Sequence, residues 1–199
     1  MLRRSLVLTL AVLGVALTLT SVALAASVKV RVEGRTQTIF GATQPTVEAG
    51  NALQALDSAS IAGEFYYGLT TSSFGTYVSQ IGRYPAGGSA GWVFKVNGES
   101  PPVGADQVQL ADGDVVLWYW AEFGSSGGPA TLELQRLPGN CYSVAKRTDT
   151  GARSPGANAT LSVDGRRVRA NARGRGCVGR HTGLVRATLV GAVRSNAVR

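Results

Sequence analysis

The chain has 199 residues and carries 20 Lys and Arg against 12 Asp and Glu, a formal net charge of +8 at pH 7. Its two cysteines and one histidine are too few for a zinc site of Cys and His unless a fourth group is recruited. The single histidine, His181, has no acidic neighbour in sequence, which disfavours a catalytic triad. We therefore expect a protein that is not an enzyme.

Residues 1–25 have the pattern of a signal peptide. Arg3 and Arg4 form a basic start, an apolar run follows, and Ala23-Leu24-Ala25 is typical of a small-residue cleavage site. The apolar run is also long enough to span a bilayer, so an uncleaved membrane anchor is the alternative. In both cases the body of the protein is exported, and we expect a secreted or cell-surface location.

The rest of the chain divides into two predicted domains, 26–123 and 130–199. Residues 26–126 carry five basic and nine acidic side chains, a net charge of −4, whereas residues 127–199 carry thirteen basic and three acidic ones, a net charge of +10. A charge asymmetry of this size indicates a domain boundary. The Gly- and Ser-rich residues 124–129 between the two are predicted to be a linker.

The first predicted domain begins with strands and one helix. SVKVRVE at residues 27–33 alternates valines with charged residues, the period of a strand with one buried face. Gly34 is expected to turn the chain into a partner strand. Asn51 is suited to a helix N-cap, and NALQALDSA predicts a helix of about two turns. This mixture predicts an α+β domain in which the helix covers one side of a sheet.

Residues 91–120 contain the three tryptophans and the clearest turn signals of the chain. The strand WVFKV is followed by Asn97-Gly98, which favours a type I′ hairpin turn. A second turn is predicted at Asp112-Gly113, before the final strand VVLWYW. This strand is apolar on both faces, so it is either central in the sheet or covered on its outer face by other residues.

In this order, SVKVRVEG, NALQALD, GWVFKVNGE, VGADQVQLADGD and VLWYW resemble the transcobalamin C-terminal-like domain of unknown function of exported bacterial proteins. That domain is related to the C-terminal β domain of transcobalamin and intrinsic factor. The resemblance extends over residues 27–124 of this chain. It implies a β-grasp-like fold, in which a sheet wraps around a short helix.

The resemblance also implies cobalamin or a related corrinoid as the ligand. In the vitamin B12 carriers the C-terminal domain closes over one face of the corrinoid, partly through the strand that carries the tryptophan. Here that strand would contribute Trp92, Val93 and Phe94, and the adjacent loop would contribute Gly104 to Asp106. The sequence departs from the carriers because it has no large helical domain for the other half of the clamp, which limits the ligand surface that it can bury.

Trp118 and Trp120 complete the predicted ligand-binding set. Strand alternation places both on one face, and Trp92 lies on a neighbouring strand. Core packing is the alternative role for the tryptophans. An aromatic cluster too large for one short helix to cover would instead leave an exposed patch, which is typical of a binding site.

From residue 130 on, short strands and turns predict a small β-sandwich. VDGRRVRANARGRG followed by VRATLVGAVRSN resembles an Ig-like or transthyretin-like module of bacterial surface proteins. An exported chain with an even number of cysteines favours a disulfide, here Cys141 with Cys177. In the chain-entropy description such a bridge stabilises the fold by about 4 kcal/mol.

Seven arginines are expected to make one surface of the second domain basic: Arg166, Arg167, Arg169, Arg173, Arg175, Arg180 and Arg186. This surface either attaches the protein to an anionic cell-wall polymer or membrane surface, or is simply a solvated strand face. Nucleic acid is not an expected partner, because the chain is exported and Tyr142 is the only aromatic residue of the region.

Four acidic residues near the end of the first domain are candidates for paired carboxylates: Asp106, Asp112, Asp114 and Glu122. Because Asp112 and Asp114 flank Gly113, turn formation is favoured, and a weak calcium site is the alternative. These features together predict an exported, non-enzymatic protein that binds a small molecule. The alternative is a structural or adhesive surface protein that its basic domain retains at the wall.

Overall fold

The computed structural model of the protein describes residues 25–72, 75–125 and 127–199. The predicted signal peptide, apart from Ala25, lies outside the described residues. Within those ranges, no helix is long and apolar enough to cross a membrane. As the sequence predicts, the described chain is mostly β-strand and has one short helix.

The first half contains a main sheet, one helix and a small second sheet. Its elements are β1 (Ala26–Glu33), β2 (Thr38–Phe40), β3 (Thr46–Ala49), α1 (Ala52–Gly63), β4 (Tyr67–Ser72), β5 (Gly75–Ile81), β6 (Tyr84–Pro85), β7 (Ala90–Val96) and β8 (Val115–Glu122). The main sheet has the order β2-β1-β8-β7, and β3 also pairs with β1. β1 and β8 run parallel, whereas every other pair in this sheet is antiparallel. β4, β5 and β6 form the second sheet.

Helix α1 covers one face of the main sheet. Asn51 is its N-cap, since the Asn51 side chain accepts a hydrogen bond of 2.8 Å from the main-chain N–H of Gln54. Ala52, Ala55 and Leu56 are buried in one core with the valines of β1. The helix is longer than the two turns predicted. The prediction missed the last turn because Ile61 in that turn is exposed, which interrupts the apolar periodicity of the sequence.

The turn after β7 has the predicted conformation at Asn97-Gly98. Both residues have positive φ, 52° and 85° respectively, as a type I′ turn requires. Glu99 donates its main-chain N–H to Val96 O at 3.0 Å, which closes the turn. The chain then leaves the sheet until β8 begins at Val115.

The second half consists of two sheets that enclose a common core, a sandwich-like arrangement. Its strands are β9 (Ala130–Leu137), β10 (Cys141–Arg147), β11 (Arg153–Pro155), β12 (Thr160–Val163), β13 (Arg166–Arg169), β14 (Arg175–Cys177), β15 (Val185–Thr188), β16 (Ala192–Val193) and β17 (Ala197–Val198). One sheet has the order β11-β10-β9-β16, with β14 paired to β10, and the other has the order β13-β12-β15-β17. The predicted disulfide is confirmed: Cys141 and Cys177 are bonded across the directly paired strands β10 and β14.

The two halves are packed against each other. The face of the main sheet opposite α1 is covered by the second half, where Leu117, Tyr119 and Ala121 of β8 pack with Val193 of β16. β8 lies between β1 and β7 and is buried on both faces. This explains the apolar residues on both faces of β8. The predicted linker lies in the connection between β8 and β9.

The expectation that β1 buries only one face is wrong at its C-terminal end. Arg31 and Glu33 are both almost fully buried, because the second half covers them. Burial lowers the pKa of Arg31 to about 10, and the nearby Glu33 carboxylate opposes that shift. The sequence pattern of β1 alone could not indicate this cover, since it comes from residues more than 150 positions away.

Three arginines surround the Glu33 carboxylate, and we call these four residues the Glu33 network. Arg31 Nη1 lies 3.3 Å from Glu33 Oε1, and Arg194 Nε donates to Glu33 Oε2 at 3.1 Å. Arg186 Nη2 also donates to Glu33 Oε1. Arg31 further donates to the main-chain oxygen of Arg194 at 2.6 Å. The network therefore joins the two halves through charged hydrogen bonds that are shielded from water.

A second set of buried polar groups lies near β7. Lys95 donates from Nζ to Thr148 O at 2.5 Å, and Tyr119 Oη is 3.3 Å from Asp149 Oδ1. Burial raises the pKa of Tyr119, and the neighbouring Asp149 carboxylate raises it further. Burial lowers the pKa of Lys95, an effect that Asp149 opposes. Lys95 and Arg31 lie on opposite sides of β8, since Leu117 pairs with Arg31 of β1 and with Lys95 of β7.

We predict that Glu33→Gln destabilises the protein by about 3 kcal/mol, because it leaves three guanidinium groups around a neutral amide. Urea unfolding followed by circular dichroism measures the change. Glu122→Gln is the matched control, since Glu122 pairs with Arg35 at the surface and such a pair contributes less than about 1 kcal/mol. Equal unfolding midpoints for the two variants would contradict the structural role of the Glu33 network.

We further predict that Tyr119 ionises only when the protein unfolds. Its folded pKa is raised, so its contribution to stability is complete below about pH 10 and is lost as the pH rises further. After a jump to about pH 11.5, absorbance at 295 nm should show fast ionisation of exposed tyrosines and a slow, unfolding-limited component. Tyr119→Phe should reduce the slow component, whereas the control Tyr84→Phe should reduce the fast one, since hydrogen bonds from Thr36 and Arg83 lower the pKa of Tyr84. A Tyr119→Phe variant that loses only fast amplitude would contradict the prediction.

Candidate ligand-binding site

The tryptophans form a continuous aromatic layer across β7 and β8. Trp92 pairs directly with Trp120 across the strands, and Phe94 pairs with Trp118. The rings of Trp92 and Trp120 meet edge to face with centroids 5.7 Å apart, and those of Phe94 and Trp118 are stacked at 5.0 Å. Tyr84 contacts both Trp92 and Trp120. The pairing thus brings together aromatic residues that are more than 20 positions apart in the chain.

Two of the tryptophans are core residues with satisfied indole groups. Trp92 is 7% exposed and donates from Nε1 to Tyr84 O at 2.8 Å. Trp118 is 2% exposed and donates from Nε1 to Ala52 O at 3.2 Å, which ties β8 to the start of α1. Only small parts of these rings can therefore touch a ligand.

A small cavity of about 100 Å³ opens beside this aromatic layer. Its lining consists of Leu53, Leu69, Thr76, Tyr77, Val78, Trp92, Phe94, Gly104, Ala105 and Trp118. A wider hollow of about 390 Å³ lies next to it and shares Tyr77, Val78 and Trp92 with the cavity. We call the cavity and the hollow together the β5–β7 groove. Tyr77 and Leu69 stand on its rim, 52% and 45% exposed.

β7 also offers unpaired main-chain groups along the groove. Ala90 exchanges two main-chain hydrogen bonds with Gly87, and Val96 exchanges two with Glu99. The N–H and C=O groups of Ala90 and Val96 therefore point away from β8. Trp92 and Phe94 have the same parity in a regular antiparallel ladder, and their N–H and C=O groups therefore also point away from β8. Neither residue has a main-chain partner on that side within the described ranges. A ligand could satisfy these groups.

Four of the predicted ligand-binding residues line the small cavity, and the other three do not. Trp92, Phe94, Gly104 and Trp118 all line the small cavity. Val93 borders the wider hollow, but its side chain packs on the opposite face of the sheet with the cluster around Leu117. Asp106 is exposed outside the groove, and Trp120 lines a different cleft. Strand alternation separates Val93 from its two neighbours.

Tyr77 and Leu69 are groove residues that the sequence reasoning missed. They belong to β5 and β4, which pair in a hairpin beside β7. Most of this region reads as loop, because it is rich in Gly, Ser and Thr. The alternation in TYVSQI does indicate a strand. Because Val78 is buried, the preceding residue Tyr77 must face away from the core.

The different cleft lies between the two halves, and we call it the inter-half cleft. Its volume is about 670 Å³. It is lined by Gly34, Arg35, Trp120, Glu122, Gly124, Gly127, Gly128, Pro129, Ala130, Gly191, Ala192, Val193 and Arg194. Arg35 Nε lies 3.1 Å from Glu122 Oε1 in an exposed ion pair. The cleft is thus more polar than the β5–β7 groove.

Of the four acidic candidates, Asp112 and Asp114 hold the turn around Gly113, whereas Glu122 pairs with Arg35 and Asp106 is exposed. Asp112 Oδ1 accepts the main-chain N–H of Ser27 at 2.8 Å. Asp114 accepts from the main-chain N–H of Ala111 at 2.8 Å and from Asn97 Nδ2 at 2.7 Å. Over the described residues, no cluster of three or more His, Cys, Asp or Glu side chains could hold a metal ion. The turn interpretation accounts for these contacts.

The remaining polar candidates lie in the second half. His181 is held by Tyr142 Oη at 2.8 Å from Nε2 and by Gly179 O at 2.9 Å from Nδ1. The expectation that Arg186 belongs to the basic surface is wrong, because Arg186 is part of the Glu33 network. The packing of the two halves places it there. The other six arginines of that surface are exposed: Arg166, Arg167, Arg169, Arg173, Arg175 and Arg180.

Residues 50–122 match the family described as a domain of unknown function, DUF4430. The matched range begins just before α1 and ends with β8. Among solved structures, the chain is similar to a protein from Ruminococcus gnavus ATCC 29149 that is described as a candidate metal binding protein. The identity is 19% and the TM-score 0.38, over 49% of this chain and 97% of the other. No curated protein matches the chain.

Proposed function

We propose that the protein is an exported, non-enzymatic binding protein whose first half binds a small-molecule ligand in the β5–β7 groove. The proposal rests on two features of the groove that lie side by side: an apolar floor, and a strand edge with unpaired main-chain groups. Trp92, Phe94 and Trp118 form the floor, and the unpaired main-chain groups of β7 run beside it. Ligand sites are typically apolar surfaces with a few convergent polar groups.

A cobalamin-like corrinoid is the ligand class we propose, on the basis of the resemblance to the transcobalamin C-terminal domain and its β-grasp fold. A corrin ring presents a broad face together with peripheral amide groups. The broad face would lie on Tyr77 and Leu69, and the amides would reach the N–H and C=O groups of Trp92 and Phe94. The groove thus supplies both kinds of contact that such a ligand needs.

The size of the groove limits how the ligand can be held. Its two parts measure about 100 and 390 Å³, at or below the lower end of the range for pockets that enclose a drug-sized molecule. A corrinoid would therefore be bound on one face only, and its other face would remain open to water or to a partner. Binding from one face buries less surface and favours modest affinity.

The basic surface of the second half supports a location at the cell surface. Six exposed arginines leave this half strongly positive, which favours contact with anionic wall polymers or lipid headgroups. Export itself rests on the signal-peptide pattern of residues 1–25. In this proposal the second half retains the protein outside the cell while the first half binds the ligand.

A structural or adhesive surface protein is the second candidate, and the burial of Trp92 and Trp118 favours it. Their indole N–H groups are already bonded within the protein. The two halves are also joined by the buried Glu33 network, as expected for a rigid spacer. This candidate requires no ligand in the groove.

We predict that dicyanocobinamide quenches the tryptophan fluorescence of residues 26–199 saturably, after correction for absorbance. Tyr77→Ala should weaken binding about tenfold, because the ligand loses an aromatic contact of about 1.5 kcal/mol. Tyr66→Ala is the matched control, since Tyr66 is exposed but does not line the groove.

Absence of saturable quenching up to millimolar ligand would contradict the ligand-binding proposal and favour the structural or adhesive candidate. Quenching that Tyr66→Ala weakens as much as Tyr77→Ala would place the ligand outside the groove. Circular dichroism of both variants shows whether the fold is retained.

A further inference from the structure

The inter-half cleft is a second site, separate from the β5–β7 groove. It exists only where the two halves meet, between the end of β8, the connection to β9 and the segment around β16. At about 670 Å³ it is within the size range of small-molecule sites, which often lie at domain interfaces. Its chemistry differs from that of the groove, because arginine side chains line it.

Two guanidinium groups face the cleft with N–H donors to spare. Arg194 uses Nε and Nη2 for Glu33 and for Gly34 O, at 3.1 and 2.7 Å, and no described residue is a partner of its Nη1. Among the described residues, Arg35 is bonded through Nε to Glu122, and more than half of its side chain is exposed. Arg194 can therefore bind an acceptor without losing its present contacts, whereas Arg35 would share its guanidinium group between the acceptor and Glu122.

The charges behind the lining favour an anion. Arg31 and Arg186 lie in the Glu33 network directly behind Arg194. Four arginines, Arg31, Arg35, Arg186 and Arg194, and three carboxylates, Glu33, Glu122 and Asp149, lie at or next to the lining. The excess of one positive charge is partly shielded from water, where electrostatic attraction is stronger than at an open surface.

Trp120 adds an unused donor at the same place. Trp120 is one of the lining residues of the cleft, and its buried Nε1 has no hydrogen-bond acceptor among the described residues. Buried N–H groups are almost always bonded, so an orphaned donor needs an explanation. An acceptor oxygen of a ligand that displaced the ring slightly would satisfy it. The groove does not use this residue.

Glycines make the rest of the wall accessible. Five of the lining residues are Gly34, Gly124, Gly127, Gly128 and Gly191. At Gly124 and Gly191 no atom lies within 4 Å of an added Cβ, whereas at Gly34 that space is filled by the ring of Tyr84. A ligand can thus approach the main chain and both arginines closely.

We propose that the inter-half cleft binds a small anionic ligand through a carboxylate or phosphate group held by Arg35 and Arg194. Guanidinium groups suit both anions, because their planar N–H donors match two acceptor oxygens. The remainder of the ligand lies against Trp120 and the glycine wall. Glu122 competes with the anion for Arg35 and repels it.

Isothermal titration calorimetry of residues 26–199 at low salt, with galacturonate and with glycerol 3-phosphate as probes, tests the proposal. Saturable binding is expected for at least one probe, and the pair distinguishes a carboxylate ligand from a phosphate ligand. Arg35→Gln should weaken binding about fivefold to tenfold, since it removes one charged hydrogen-bonding group. Glu122→Gln should strengthen binding about twofold to fivefold, because it removes the competing carboxylate.

Arg173→Gln is the matched control, because it removes the same charge from the exposed basic surface away from the cleft. It should change affinity by less than about twofold, the size of a distant screened charge effect. Tyr77→Ala should have no effect, which separates this site from the groove. Three results would overturn the proposal: no saturation at millimolar probe, equal weakening by Arg35→Gln and Arg173→Gln, or weaker binding in Glu122→Gln.

Discussion

The buried carboxylate of Glu33 is the constraint on which the arrangement of the two halves depends. A carboxylate at this depth is tolerated only when its charge is compensated, and here arginines from both halves compensate it. Arg186 and Arg194 come from the second half, so the charge of β1 can be buried only when that half is docked. The interface is therefore specified by charge as well as by apolar contact.

Docking of the halves determines the character of both candidate sites. It covers the outer face of β8, so the aromatic residues on the inner face are left to pack against α1 and the β4–β5 hairpin. It also creates the inter-half cleft, whose lining is drawn from residues that are far apart in the chain. One interface thus leaves an apolar groove on the first half and a positively charged cleft between the halves.

The edge strand β7 connects packing with function. The unpaired edge of a sheet can pair with a strand of another chain, and proteins usually prevent this by covering the edge or making it irregular. Here the β4–β5 hairpin lies alongside without pairing to Trp92 or Phe94, so the edge stays available to a small ligand while access by another strand is restricted. The same aromatic residues stabilise the core and form the floor of the groove, which is why burial alone does not separate the two proposed functions.

Local signals in the sequence determined the mostly β architecture, the N-cap at Asn51, the turn at Asn97-Gly98 and the pairing of Cys141 with Cys177. Strand alternation also placed Trp92 and Phe94 on one face. Only the tertiary structure decided that Arg31 and Glu33 are buried, that the side chains of Val93 and Trp120 lie outside the β5–β7 groove, and that Tyr77 lines it. The physical reason is range: turns, caps and strand periods arise from neighbouring residues, whereas burial of charges and the lining of clefts depend on segments that meet only after folding.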